Sequence, residues 1–205
     1  MGTPKDSLIT RTKIIEAAGR LFTEKGYKGV TVRDIAATAG VHLGALNYHF
    51  KSKEALHREV LLEACAVASI TDEEQDYLLT LPPEDALYQI VSESLKRYRE
   101  GDESQWQWAL LSRECRNPGP VFEELAENYF KPQSRFLAAI ISGIAGSSAE
   151  DKAVQFASIS LVGLIETCGL YRQYVETIAP GLLAAGEKDD WFSRRITGMI
   201  IQTVL

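Results

Sequence analysis

Residues 31–56 read TVRDIAATAGVHLGALNYHFKSKEAL, and this stretch decides the fold. Thr31 is a good helix N-cap, and Val32, Ile35, Ala36 and Ala39 fall on one helical face behind it. Gly40 can take the left-handed conformation that ends a helix, with Val41 plugging the corner. A short second helix, from about His42 to His49, then turns Leu46 inward. A scaffold helix, a glycine turn and a short helix free to enter a major groove are the grammar of a helix-turn-helix.

The flanks extend the pattern. Upstream, residues 8–25 form an amphipathic helix with Ile14, Ile15, Ala18, Leu21 and Phe22 on one stripe, stopped by Gly26. Downstream, Lys51-Ser52-Lys53-Glu54 opens a further helix with Ser52 as its N-cap, running on through Ala66. Residues 71–84, TDEEQDYLLTLPPE, are acidic and end in a proline pair, which reads as a loop or frayed turn. Helices follow at 84–99, with Leu87, Ile90, Val91, Leu95 and Tyr98 as its stripe and Gly101 as its stop, and at 105–116, broken by Asn117-Pro118-Gly119-Pro120. A long helix over 121–144 contains Pro132, which should kink or divide it. Two more, 149–178 and 188–204, are separated by Pro180-Gly181. No alternating strand pattern, repeat or low-complexity tract interrupts them. The expected fold is all-α, with an N-terminal three-helix head at 1–56 and a helical body at 57–205.

The 205 residues are 45% apolar, enough for two modest cores, and carry a net charge of -6. That charge is unevenly placed. Residues 1–60 hold ten Lys and Arg against six Asp and Glu, so a head of +4 precedes a remainder of -10. Charge acts within a Debye length of roughly 8 Å, so a basic head on an acidic body suits a protein whose head alone meets phosphate. No apolar run is read as long enough to span a bilayer, and the N-terminus has no signal-peptide pattern. Three scattered cysteines, Cys65, Cys115 and Cys168, suggest a reducing compartment, hence the cytoplasm.

Residues 17–56, AAGRLFTEKGYKGVTVRDIAATAGVHLGALNYHFKSKEAL, resemble the TetR family of bacterial transcriptional regulators. The likeness rests on Gly26-Tyr27, the Thr31–Ala36 opening, the Ala39-Gly40-Val41 turn, and Tyr48-His49-Phe50 followed by Lys51-Ser52-Lys53. It implies that His42, Leu43, Gly44, Ala45 and Asn47 face the groove. Asn can pair bidentately with adenine, and Ala or Leu can touch a thymine methyl. It also implies phosphate contacts from Thr31, Tyr48, His49 and Lys53, with Arg33 on a base edge or a phosphate. Tyr48 has the alternative of packing on the first helix, and Leu43 of being a lone exposed apolar residue. The family often has Ser or Thr where this chain has His42, a poorer N-cap, and a polar residue where it has Leu43.

The same resemblance implies a homodimer formed by the last two helices, through Val154, Ala157, Ser158, Leu161, Leu164, Ile165 and Cys168 of one and Phe192, Ile196, Met199, Ile200 and Thr203 of the other. Periodicity alone leaves open that these stripes pack within one chain. A pocket for a small-molecule effector is expected among the middle helices, with Trp106, Trp108, Arg113, Tyr129, Phe156 and Tyr171 as its lining or, equally, as plain core. Residues 111–131 resemble a regulator subgroup linked to drug sensitivity. The function implied is a ligand-responsive repressor of a palindromic operator in double-stranded DNA. A helix-turn-helix regulator whose body binds a protein, and an all-α enzyme with a vestigial head, stay open.

Nothing in the sequence makes a catalytic or metal site. His42 and His49 would stand about 10 Å apart on one helix, too far to share an ion. No cysteines have ligand spacing, and Cys65 and Cys168 read as buried structural residues. No cofactor and no membrane partner are expected.

Overall fold

The computed structural model describes residues 4–99, 105–183 and 190–205, among which there are helices and turns but no strand. The helices are α1 (Pro4–Lys25), α2 (Val32–Thr38), α3 (Leu43–His49), α4 (Lys53–Ala68), α5 (Asp72–Leu79), α6 (Pro83–Arg99), α7 (Gln105–Arg116), α8 (Phe122–Leu125), α9 (Lys131–Ala145), α10 (Lys152–Leu170), α11 (Arg172–Ile178) and α12 (Trp191–Val204). Gly101 and Lys188, expected at a helix end and a helix start, lie outside the described residues, as does the Tyr98 side chain.

Two compact units divide the chain, and the first is discontinuous, made of residues 1–69 and 103–129. Ile14, Ala18, Phe22, Ile35, Leu46, Leu56, Val60 and Leu61 form its head core, and Leu110 and Leu125 are buried in the same unit. The helix α7 packs on both α1 and α4. It does so through a deletion of bulk: a Cβ on Gly19 would stand 2.4 Å from the Trp106 ring. Arg113 donates to the Thr23 carbonyl at 3.3 Å, and Thr23 Oγ1 donates to the Trp106 carbonyl at 3.2 Å. The division at 56/57 drawn from the sequence therefore does not follow the compact units. It would cut α4 near its start and separate α7 from the helices it covers.

The second unit comprises residues 70–102 and 130–205. Leu87, Val91, Phe136, Ile140, Ile141, Val154, Ala157, Leu161, Ile196 and Ile200 form its core, between α6, α9, α10 and α12. Three sequence expectations change here. The acidic stretch after Thr71 is a helix: Thr71 Oγ1 accepts from the Glu74 amide at 3.2 Å while Glu74 Oε2 accepts from the Thr71 amide at 2.7 Å, a capping box that nucleates α5. The long helix around Pro132 is broken before the proline, where Ala126–Phe130 makes a π-helical turn and the proline sits in the first turn of α9. A proline there lacks the N–H that would continue the ladder, so the preceding turn widens. Third, 149–178 is two helices, α10 and α11, hinged at Tyr171.

The expectation that no segment could span a bilayer is also corrected. Helix Lys152–Leu170 has 19 residues and a mean hydropathy of 1.5, long and apolar enough by length and composition. One of its faces is covered by the unit's own core, through Val154, Ala157, Ser158 and Leu161.

His57 is the most consequential buried polar group of the first unit. It is 1% exposed, packed edge-on against Phe22 at 4.8 Å and against Tyr27 at 4.7 Å, with Glu114 Oε2 4.0 Å from its Nε2. Its Nδ1 has no hydrogen-bond partner. Burial first, and then the nearby Lys53 ammonium, push its pKa down to about 4. Folding therefore favours neutral His57, and the stability this contributes is present above pH 6.5 and lost as pH falls toward 4. Between pH 7 and pH 5 the histidine should cost the fold about 2 kcal/mol. Glu114, pushed up by burial, acts in the opposite sense. The histidine's share is therefore the difference between wild type and His57→Leu in urea unfolding at the two pH values, where the variant should lose less stability on acidification.

Candidate nucleic-acid interface

Two local devices set α3 in place. At the start of α2, Thr31 Oγ1 accepts from the Asp34 amide at 3.2 Å, and Asp34 Oδ2 accepts from the Thr31 amide at 2.9 Å and hydroxyl at 2.7 Å. These bonds hold the Asp34 carboxyl below its ordinary pKa. At the end of α2, Gly40 takes φ 66°, so the Val41 amide reaches back to the Ala36 carbonyl at 3.0 Å and the Gly40 amide to Ala37 at 3.2 Å. The chain then turns directly into α3.

On α3, Leu46 is fully buried and Phe50 closes the core behind it. The rest of its surface is open. His42, Leu43, Gly44, Asn47 and Tyr48 are exposed, and Ala45 and His49 are half-buried at its edge. Tyr48 is 81% exposed, so it does not pack on α1; its ring stands against that of His49 at 5.3 Å. A methyl on Gly44 would meet open space. His42 is the N-cap of α3 and makes no side-chain capping bond. Arg33 is exposed on α2, and the Thr31 hydroxyl is engaged in the capping box just described.

Lys53 stands apart from this set. Its Nζ donates to the Tyr27 carbonyl at 2.9 Å and the Val30 carbonyl at 3.0 Å, and lies 4.2 Å from the centre of the Tyr27 ring. Sequence reasoning had no signal for this, because the partners lie more than twenty residues away.

The residues expected to line an effector pocket fall in both units. Trp106 is buried over Gly19, Arg113 is bonded to Thr23, and the Tyr129 hydroxyl bonds to the Cys65 carbonyl and accepts from Ser69 Oγ at 2.5 Å, all within the first unit. Trp108 is half-buried in α7. Phe156 and Tyr171 belong to the second unit, and both are exposed.

The expected dimer residues divide too. Val154, Ala157, Ser158, Leu161, Ile196 and Ile200 are buried within the second unit itself, so they have no surface to offer a second copy. Leu164, Ile165, Cys168 and Phe192 pack partly against that core, while Met199 and Thr203 are exposed. The bare apolar face of α10 is instead Phe156, Ile159 and Val162, with Ile159 73% exposed. Their spacing of three was visible in the sequence, but a helix apolar on several sides does not announce which side faces out.

Comparison with known proteins gives two family matches. Residues 14–60 match the model described as bacterial regulatory proteins, tetR family, and residues 83–196 match the C-terminal domain of the HTH-type transcriptional dual regulator CecR. The HTH-type transcriptional repressor KstR2 of Mycolicibacterium smegmatis is 44% identical over 59 residues, which cover 29% of this chain and 29% of KstR2. That likeness spans under a third of the relative's length. Among solved structures, NalD, the secondary repressor of the MexAB-OprM multidrug efflux pump in Pseudomonas aeruginosa, has a TM-score of 0.65 at 21% identity, covering 98% of both chains. AibR, solved with isovaleryl coenzyme A and operator DNA, has a TM-score of 0.64 at 16% identity, covering 95% of this chain and 97% of AibR. At these identities the two structures share the fold with this chain.

The uncapped start of α3 yields a direct test. His42→Ser supplies the missing acceptor for the first-turn amides and should raise stability by about 0.5–1 kcal/mol. The urea midpoint at constant m-value reads it, and an unchanged midpoint would show that His42 already satisfies that turn.

Proposed function

The chain belongs to the TetR family of bacterial regulatory proteins, and from that premise we propose that it is a DNA-binding transcriptional repressor, released from a palindromic operator by a small molecule. The observation that carries this reading is the bare surface of α3 and its N-cap, five exposed residues around the one buried Leu46. A helix anchored by one deep leucine and open on its other side suits a major groove. Asn47 is the principal base reader, through an amide that can pair with the adenine edge. Leu43 and Ala45 supply contacts to thymine methyls, and Gly44 lets the backbone approach closely. His42 adds a donor at the helix start. Tyr48, His49, Arg33 and Thr31 lie around this face and serve the sugar-phosphate backbone.

A second copy of the chain is the natural cover for the apolar face of α10. Phe156, Ile159 and Val162 with Met199 and Thr203 of α12 form the dimer surface in this reading, replacing the residues that the core uses. The same face accounts for the hydropathy of α10 without a membrane, and the protein works in the cytoplasm where its operator lies. A two-fold dimer presents two α3 helices to half-sites roughly 34–36 Å apart.

The effector acts by preferring one spacing of the two heads, and only its difference in affinity between the bound and released spacings can move the equilibrium. AibR, with isovaleryl coenzyme A in its complex, shows that this fold accommodates an acyl-CoA in one regulator; the effector of this chain is a small molecule whose class a screen must supply. Helix α7 is the element through which such a signal reaches the head, because it packs on both α1 and α4.

Selection of random duplex DNA by the purified protein tests the whole reading. A palindromic winner bound with a steep salt dependence is expected; no enrichment by protein freed of any bound molecule by unfolding and refolding would sink it. On the selected duplex, Asn47→Ala should lose about 1–3 kcal/mol of discrimination against random DNA. Equal losses on both DNAs would remove Asn47 as a reader. Ile159→Arg should give a folded monomer by sedimentation and weaken operator binding, while a stable dimer would place the interface elsewhere.

A further inference from the structure

Lys53 is the first residue of α4, following the N-cap Ser52. A cation there meets the positive end of the helix dipole, an unfavourable place unless something nearby accepts its charge. The fold provides that acceptor twice over. The Tyr27 and Val30 carbonyls lie at 2.9 and 3.0 Å, both in the turn between α1 and α2, outside any helical ladder. The Tyr27 ring lies beneath the ammonium at 4.2 Å and is itself packed on His57, one turn further along α4. Lys53 is half-buried as a result.

The position of these acceptors matters more than their number. Val30 is buried and immediately precedes Thr31, the N-cap of α2. Lys53 therefore ties the first residue of α4 to the residue from which α2 starts. Between those two points the chain contains only α2, its glycine turn, α3 and the short link to Ser52. The bond closes the helix-turn-helix at its two ends, from behind α3.

We propose that Lys53 is a positioning residue for DNA reading: its ammonium clips the start of α2 to the start of α4 and so fixes the angle at which α3 is presented, without pairing with a phosphate. This rests on the DNA-binding reading above and reassigns a residue within it. Turning the ammonium outward to a phosphate would strip two carbonyls and a ring of their donor. A cation used as a clip also contributes no counterion release, so its removal should weaken binding without changing the salt dependence.

The experiment compares wild type with Lys53→Met, which keeps the aliphatic stem, and Lys53→Gln, which keeps a neutral donor. Each is titrated with the duplex selected by wild type, across a salt series. Amide hydrogen exchange at Thr31–Asp34 is followed in the free proteins. Lys53→Met should bind about tenfold more weakly at every salt concentration, with an unchanged slope of log affinity against log salt and faster exchange at the start of α2. Lys53→Gln should recover part of both the affinity and the protection. A slope shallower by about one unit in both variants, with exchange unchanged, is the signature of a phosphate contact and would overturn the proposal. Should Lys53→Met fail to fold, the glutamine variant carries the same slope comparison. Failure of wild type to select any duplex sinks the DNA-binding reading, whereas a slope loss on a selected duplex sinks the clip alone.

Discussion

Where α7 crosses α1, the Trp106 ring fills the space that any side chain on Gly19 would need, 2.4 Å from where its Cβ would stand. The first unit depends on this contact. Trp106 buried over Gly19 lets α7 lie close enough for Arg113 to reach the Thr23 carbonyl, and for Glu114 to approach His57. The same closeness desolvates His57 and holds it neutral, and it leaves Cys65 so buried that its thiol is pushed up to about 12. Glu114 offsets its own burial by accepting from the Gly119 amide at 2.6 Å, which turns the chain back after α7. A helix from the middle of the sequence is thus part of the structure that holds α3.

The head was legible because its instructions are local. Thr31 with Asp34, Gly40 with Val41, and Leu46 in the middle of a short helix each act within a few residues, where sequence spacing is spatial spacing. The helix over 105–116 was also readable to the residue, since Asn117-Pro118 ends it chemically. Helix α5 has a local signal too, the capping box of Thr71 and Glu74, but the acidic run and the proline pair that follow it have the composition of a loop.

What escaped was long-range. The outward side of α10 depends on which of its apolar faces α6, α9 and α12 cover, and a helix with Val154, Phe156, Ala157, Ile159, Leu161 and Val162 offers more than one hydrophobic side. The carbonyl partners of Lys53 are hidden from the sequence because Tyr27 and Val30 come near it only after α1 and α4 have packed together. The surroundings of the candidate pocket aromatics are hidden from the sequence for a related reason. Composition identifies what can line a cavity, but Trp106 and Tyr129 are held by partners in α1 and α4 that no window of sequence contains.

The interrupted path of the first unit has a consequence for how the protein is made. Its α1–α4 segment leaves the ribosome first, but the residues that cover α1 and α4 arrive only with 103–129. At about 5–20 residues per second, the intervening synthesis takes several seconds, during which Gly19 and the surfaces of α1 and α4 that α7 covers face solvent. Contacts such as Thr23 with Trp106, 83 positions apart, raise the contact order of a domain whose helix-turn-helix looks purely local. A gene fragment ending after α4 would encode every residue of the reading helix and still leave the platform beneath it unfinished.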